Sequence, residues 1–292
     1  MIDRCAAKTF REVVSVATLA LATACSTSAS ADQHARGAYA DVNGIRMYYE
    51  VHGPARGTPL VLLHGGGSTI DVTFGRILPN FARNRRVIAV EEQAHGRTSD
   101  RNAPLSFETS ADDVAALLDH LKVRQADLFG FSNGASVALQ VAIRHPQAMR
   151  KLVFASAMTT RDGAHPELWS FMRRADISNM PQSLKDAFLK VNPDPAKLKT
   201  MHDKDAERMR NFKDVPDAAL RSMRAPTLIL IGDHDVVKPE HAVELAHLLP
   251  NARLLVLVGG HGDYIGEATI TPQTSHAPER TAELIGEFLD AP

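Results

Sequence analysis

Residues 126–129 form a short apolar run, residues 135–145 have the composition of a helix, and between them the chain reads Gly130-Phe131-Ser132-Asn133-Gly134. No other stretch restricts the fold so tightly. A buried strand must become a helix within one sharp turn, with a serine at its apex. Side chains at the two glycine positions would collide with neighbouring backbone in such a turn, and the serine must take strained backbone angles. The turn lifts the Ser132 hydroxyl clear of the strand and aims the first amides of the helix at the same point. A helix N-terminus favours negative charge developing there. Taken alone, the five residues can also be a glycine-rich turn holding an ordinary serine.

The remainder of the chain supplies the context. Residues 39–42 and 45–51 flank Asn43-Gly44, a two-residue hairpin signal. Residues 59–63 and 86–90 are apolar runs of the kind found in strands covered on both faces. Helical spacing occurs over 74–81, and over 110–121 through Ala111, Val114, Ala115, Leu118 and Leu121. Further strands are expected at 126–130, 151–155, 227–231 and 253–258. Helices at 239–249 and 278–289 each open with a proline, which a first helical turn tolerates. Strands alternating with helices predict an α/β fold, a mainly parallel sheet of about eight strands with helices on both faces. In such sheets, sites lie at the C-terminal ends of the strands. Four loops follow strand ends directly: His64-Gly65-Gly66-Gly67, the turn at Ser132, Gly232-Asp233-His234-Asp235, and Gly259-Gly260-His261-Gly262. They are expected to meet at one edge.

A serine hydroxyl is a weak nucleophile near neutrality and needs a base within hydrogen-bond reach. Among thirteen histidines, His261 is the candidate because it directly follows a well-formed strand. His276, ahead of the last helix, is its rival, and 268–275 then reads as a loop insertion. His64 is expected to stabilise its own loop. Asp233, His234, Asp235 and His241 can also be read as metal ligands, but they make no compact set with an established spacing. No metal and no cofactor is expected.

Together, the elbow, the His-Gly-Gly-Gly loop, the Gly-x-x-Asp loop and the late Gly-Gly-His loop resemble the α/β-hydrolase fold superfamily, over roughly residues 38–290. The likeness is to serine esterases and lactonases with a helical cap. It implies that Ser132, Asp235 and His261 form the catalytic set in that family's chain order, with Asp233 as the fallback acid. It also implies an oxyanion hole from the amides of Gly66 and Asn133. Residues 38–156 and 225–292 would form the core, and residues 157–224 the inserted cap. That segment carries Leu168, Trp169, Phe171, Phe188 and Phe212 together with Met158, Met172, Met180, Met201, Met209 and Met223. It reads either as amphipathic packing or as a pliable apolar lining. The stretch 91–98 resembles the family's Asp-x-Arg-Gly-His-Gly-x-Ser loop but departs from it at Glu91, Gln93, Ala94 and Thr98.

The N-terminus reads as an export signal over residues 1–25. Arg4, Lys8 and Arg11 precede an apolar stretch at 13–24, shorter than the ~20 residues that span a bilayer. Cys25 closes a lipobox-like sequence, with an alternative cleavage after Ala31, and residues 26–37 read as a tether. The expected location is a bacterial membrane, as a lipoprotein anchored through Cys25, or the periplasm. Both cysteines, Cys5 and Cys25, fall in this segment, which excludes thiol catalysis and zinc–thiolate chemistry from the folded part. With 33 basic against 34 acidic residues, no charge excess suggests a nucleic-acid partner.

The reading is therefore a serine hydrolase acting on a small or medium carboxylic ester or lactone through an acyl-Ser132 intermediate. A C–C bond hydrolase or cofactor-free perhydrolase on the same residues is the alternative, and a non-enzymatic small-molecule receptor is a second. Dehalogenases and epoxide hydrolases of related fold attack with a carboxylate, and position 132 is serine.

Overall fold

The computed structural model describes residues 36–292. The stretch read as an export signal, Cys25 and residues 26–35 of the expected tether lie outside the described residues, while residues 36 and 37, also expected in the tether, open the first strand. Eight strands make one sheet: β1 (Arg36–Val42), β2 (Ile45–His52), β3 (Leu60–Leu63), β4 (Val87–Val90), β5 (Ala126–Phe131), β6 (Met149–Ala155), β7 (Thr227–Gly232) and β8 (Ala252–Leu257). Their spatial order is β1-β2-β4-β3-β5-β6-β7-β8. β2 is antiparallel to both its neighbours, and all pairs from β4 to β8 are parallel. The β1–β2 hairpin turns at Asn43 and Gly44, both with positive φ, as a two-residue primed turn requires.

Ten helices surround the sheet: α1 (Ile70–Phe74), α2 (Leu78–Ala82), α3 (Phe107–His120), α4 (Asn133–Arg144), α5 (Pro166–Arg173), α6 (Gln182–Val191), α7 (Pro195–Arg210), α8 (Asp217–Ser222), α9 (Pro239–Leu248) and α10 (Ala277–Asp290). The central strands alternate their side chains between two cores. Val61, Leu63, Ile88, Val90 and Leu128 face the cluster that includes residues of α3, α4 and α9. Leu60, Leu62, Val87, Ala89 and Phe129 face the cluster built with α1, α2 and α10. Every one of these side chains is fully buried, which explains why the strands read as continuous apolar runs rather than alternating ones. Phe129 is held edge-on by Phe74 and Phe81, with ring centroids 5.3 and 6.2 Å away.

Two element boundaries differ from the sequence expectation for identifiable reasons. The single helical run expected over 74–81 is two short helices, α1 and α2. Pro79 sits in the first turn of α2, and a proline cannot continue a helix that passes through the preceding turn. Helix α3 starts at Phe107, earlier than expected, because the Ser106 hydroxyl accepts from the Thr109 amide at 3.0 Å and caps it.

Helices α5 to α8 lie between β6 and β7, in the stretch that breaks the strand–helix alternation. Part of their apolar surface joins the first core through Trp169, Met209, Phe212 and Leu220. Another part makes its own cluster of Met180, Phe188, Leu198 and Met201 with Ala94 from the loop after β4.

Candidate active site

Strand β5 ends at Phe131, and Ser132 follows with φ 54° and ψ −123°, a region that a non-glycine residue occupies only when its surroundings impose it. Those surroundings are visible. The Ser132 amide donates to the Ala155 carbonyl at the end of β6, 2.9 Å away. A Cβ on Gly134 would stand 2.1 Å from the Leu63 carbonyl oxygen, so only glycine lets α4 start this close to β3. Helix α4 begins at Asn133, and its first amides have no intrahelical partner.

The four loops expected to meet do so. His261 Nε2 lies 3.1 Å from Ser132 Oγ, and His261 Nδ1 lies 2.7 Å from Asp235 Oδ1. The imidazole also packs on the ring of Phe131, with centroids 4.8 Å apart. Asp235 is buried. Burial alone would raise its pKa, but the hydrogen bond and charge of His261, the Ser156 hydroxyl and the Val237 amide outweigh it and hold the carboxyl below its ordinary value. The Val237 amide donates to Oδ1 at 3.2 Å, and Ser156 Oγ donates to Oδ2.

Asp233 and His276 are not part of this chain of contacts. Asp233 Oδ1 accepts from the Gly259 amide at 2.8 Å and so ties the loop after β7 to the loop after β8. His276 is exposed at the cap of α10. The segment 268–275 is fastened to the core by Arg76, which donates to the carbonyls of Pro272 and Ser275 at 2.8 and 2.5 Å. The residues that can be read as metal ligands separate: Asp235 meets His261, while His241 Nε2 accepts from the Thr159 amide at 3.0 Å.

Gly66 and Asn133 come together on the other side of Ser132, and both line the same cavity as Ser132 and His261. A Cβ on Gly66 would fall 2.4 Å from Asn133 Nδ2 and 2.5 Å from Asp205 Oδ2. A side chain at this position would push the Asn133 side-chain amide and the Asp205 carboxylate out of the places they hold. The loop is braced from beneath by His64, whose Nδ1 donates to the Gly65 carbonyl at 2.8 Å and whose Nε2 accepts from the Glu92 amide at 3.2 Å. Glu91, in that neighbouring loop, is pushed up to about 7 by burial, against the opposing bonds and charge of Arg97.

Several groups around the site carry no signal in the sequence. Ser156 has φ 51°, and Tyr264 OH lies 2.5 Å from its Oγ. Asp205, on α7, accepts from Asn133 Nδ2 at 3.1 Å and from Arg208 at 2.5 Å, and Arg208 also donates to Glu92 at 2.8 Å. Arg208 and Glu92 are 116 positions apart and Asp205 and Asn133 are 72 apart, and the docking of α7 brings these four together.

The cavity has a volume of about 570 Å³, within the usual range for small-molecule sites. Its floor is Ser132, Asn133, Gly66 and His261, and its walls are chiefly apolar side chains of α5 to α7 with Val236 and Val237. A hydroxyl with a base at hydrogen-bond distance, a base oriented by a buried anion, and free helix amides nearby can together support nucleophilic attack on a carbonyl carbon.

A sequence model of the alpha/beta hydrolase fold matches residues 58–192. The chain is 28% identical to a 2-hydroxymuconate semialdehyde hydrolase of Pseudomonas sp. (strain CF600), over 84% of this chain and 91% of that protein. Among solved structures, it is similar to Est816, described as an N-acyl homoserine lactone degrading enzyme. The TM-score is 0.67 at 26% identity, covering 86% of this chain and 100% of that one. The enol-lactonase of Burkholderia xenovorans LB400 superposes with a TM-score of 0.68 at 21% identity, over 87% of this chain and 100% of that one. The fold is that of the α/β-hydrolases.

Proposed function

We propose that this chain, a hydrolase of the α/β-hydrolase superfamily, cleaves a small or medium carboxylic ester or lactone through an acyl-Ser132 intermediate. The observation that carries this reading is the unbroken contact chain Ser132 Oγ–His261–Asp235, at 3.1 and 2.7 Å, on the floor of an apolar cavity.

His261 Nε2 takes the Ser132 proton as Oγ attacks the carbonyl carbon. Asp235 accepts from Nδ1–H, which fixes the tautomer that leaves Nε2 free and stabilises the imidazolium as it forms. The carbonyl oxygen becomes negative and is received by the amides of Gly66 and Asn133. When the tetrahedral adduct collapses, the C–O bond breaks and His261 returns its proton to the leaving alkoxide. Water then repeats the sequence on the acyl-serine and releases the acid.

A C–C bond hydrolase built on the same residues is the second reading. What favours it is the likeness to the semialdehyde hydrolase over 84% of this chain and 91% of that protein.

Labelling with a fluorophosphonate tests the reading against a receptor that only binds. Wild type and His276→Ala should label rapidly, and Ser132→Ala and His261→Ala should not. Strong labelling of His261→Ala with none of His276→Ala would move the base to His276. No labelling of the wild type would remove the enzyme reading. A panel of p-nitrophenyl esters and lactones beside vinylogous 1,5-diketones then separates C–O from C–C cleavage.

A further inference from the structure

We propose that the cavity is built for uncharged, apolar acyl groups and turns away substrates that carry a carboxylate, and that Asp205 of α7 is the residue most responsible. The proposal rests on the hydrolase reading above for its chemistry, but its basis is the lining itself. Leu168, Phe171, Met172, Met180, Leu184 and Met209 form the wall contributed by α5 to α7. Among the described residues that line the cavity there is no lysine and no arginine, and the charged groups are two acids, Glu167 and Asp205.

The two acids are placed differently. Glu167 is exposed at the rim, where water screens it. Asp205 is buried beside Gly66 and Asn133, next to the reacting centre. Two basic groups stand beside Asp205 and both are already committed: buried His95, whose Nε2 lies 3.7 Å from Asp205 Oδ2, and Arg208, one turn further along α7. One of its terminal nitrogens donates to Glu92, the other donates to Asp205, and its guanidinium lies over the ring of Phe107 at 4.8 Å. Of the two lining imidazoles, His261 faces Asp235 and His202 Nδ1 stands 3.1 Å from Asp203. A carboxylate at the far end of the acyl chain, away from the amides of Gly66 and Asn133, would therefore lose its water, find no uncommitted cation on the wall, and face the Asp205 carboxylate. Burying an unpaired charge is far costlier than burying an alkyl chain or a neutral ester. An uncharged acyl chain meets only methionine, leucine and phenylalanine surface, which favours it.

A diester and its own half-ester make a matched pair for the test: dimethyl adipate and monomethyl adipate, compared at pH 8. They differ by one methyl group and one charge. In Ser132→Ala, calorimetry should give a Kd at least tenfold lower for the diester. Equal affinities, or tighter binding of the half-ester, would overturn the proposal. The wild-type enzyme should add one water to the diester, release one methanol, and let the half-ester accumulate. Continued conversion to adipate at a comparable rate would also overturn it. If wild type leaves the diester intact while Ser132→Ala still prefers it, the hydrolase reading fails and the charge selectivity stands.

Asp205→Asn removes the anion and partly frees Arg208, so the preference for the diester should shrink by about tenfold. Asp205→Glu keeps the charge and should keep the preference. An unchanged preference in a folded Asp205→Asn protein, or its loss in Asp205→Glu, would take the role away from Asp205.

Discussion

Two serines with positive φ sit side by side at the ends of β5 and β6, Ser132 and Ser156. The first presents the candidate nucleophile. The second presents a hydroxyl to the candidate acid. Ser156 has one proton and gives it to Asp235 Oδ2, so Tyr264, 2.5 Å away, must donate to Ser156 Oγ. Tyr264 is fully buried, and burial first, then the nearby Asp235 charge, keeps its phenol well above the ordinary range and protonated. The strain at Ser156 is thus matched by a donor chain that ends on Asp235. Removing one hydrogen bond to a charged group is worth about 1.5–3 kcal/mol. Ser156→Ala should accordingly lower kcat roughly tenfold to a hundredfold, with KM within about twofold, and Tyr264→Phe should lower it less. Because Ser156 helps hold the Asp235 carboxyl low, its loss raises that pKa, and the acid-side fall of the kcat profile should begin at higher pH. An unchanged profile, or a loss confined to KM, would leave Ser156 a purely structural residue. The motif positions of Ser132, Asp235 and His261 are legible in the sequence because each follows a strand in a glycine-containing loop. Asp233 and Asp235 differ by only two places, and the bond from the Gly259 amide to Asp233 separates their roles. Ser156 ends an apolar run with no motif around it, and nothing in its neighbours announces its partner.

At the scale of elements, the strands were the most readable feature because they are buried on both faces and so appear as short, uninterrupted apolar runs. Helix limits were less so, since they depend on single contacts such as the Ser106 cap and on Pro79 in the α1–α2 break. The loops after β3 and β4 were the least readable. They are joined through His64, which does more than support its own loop, since it accepts from the Glu92 amide across the gap. Burial, reinforced by the neighbouring His95, lowers the His64 pKa to about 4, against about 6.5 in an unfolded chain. Between those values the unfolded chain binds a proton that the folded one does not. Stability from this group is therefore complete above pH 6.5 and is lost as the pH falls towards 4, by roughly 3 kcal/mol in all. Urea titrations at pH 7.5 and 4.5 should show wild type losing about 2 kcal/mol more on acidification than His64→Gln. Parallel losses in the two proteins would show that His64 is not the titrating group.

At the scale of the molecule, α7 reaches from the group of helices between β6 and β7 into the floor of the site. Asp205 and Arg208 project from successive turns of α7, and there they meet Glu92 from the loop after β4 and Asn133 at the start of α4. Both Arg208 and Glu92 are almost wholly buried. None of this could be read from the chain, because charge patterning along α7 looks like that of any solvated helix, and the partners lie in distant segments. The same residues couple how α7 is seated to the position of Asn133. The chain offers a direct comparison of buried with exposed pairing. Arg144 and Asp112 form an ion pair of 2.7 Å between half-exposed side chains, and such pairs contribute between about 0 and 1 kcal/mol. Arg208→Met instead leaves two buried carboxylates without their cation, a change expected to cost about 3–5 kcal/mol. Arg144→Met should then shift the urea midpoint only slightly, and Arg208→Met should shift it by several times as much and lower kcat by displacing Asp205 from Asn133. Equal shifts in the two variants would mean that the buried network is no more than a second surface pair. A large shift with unchanged kcat would mean that the seating of α7 and the position of Asn133 are independent.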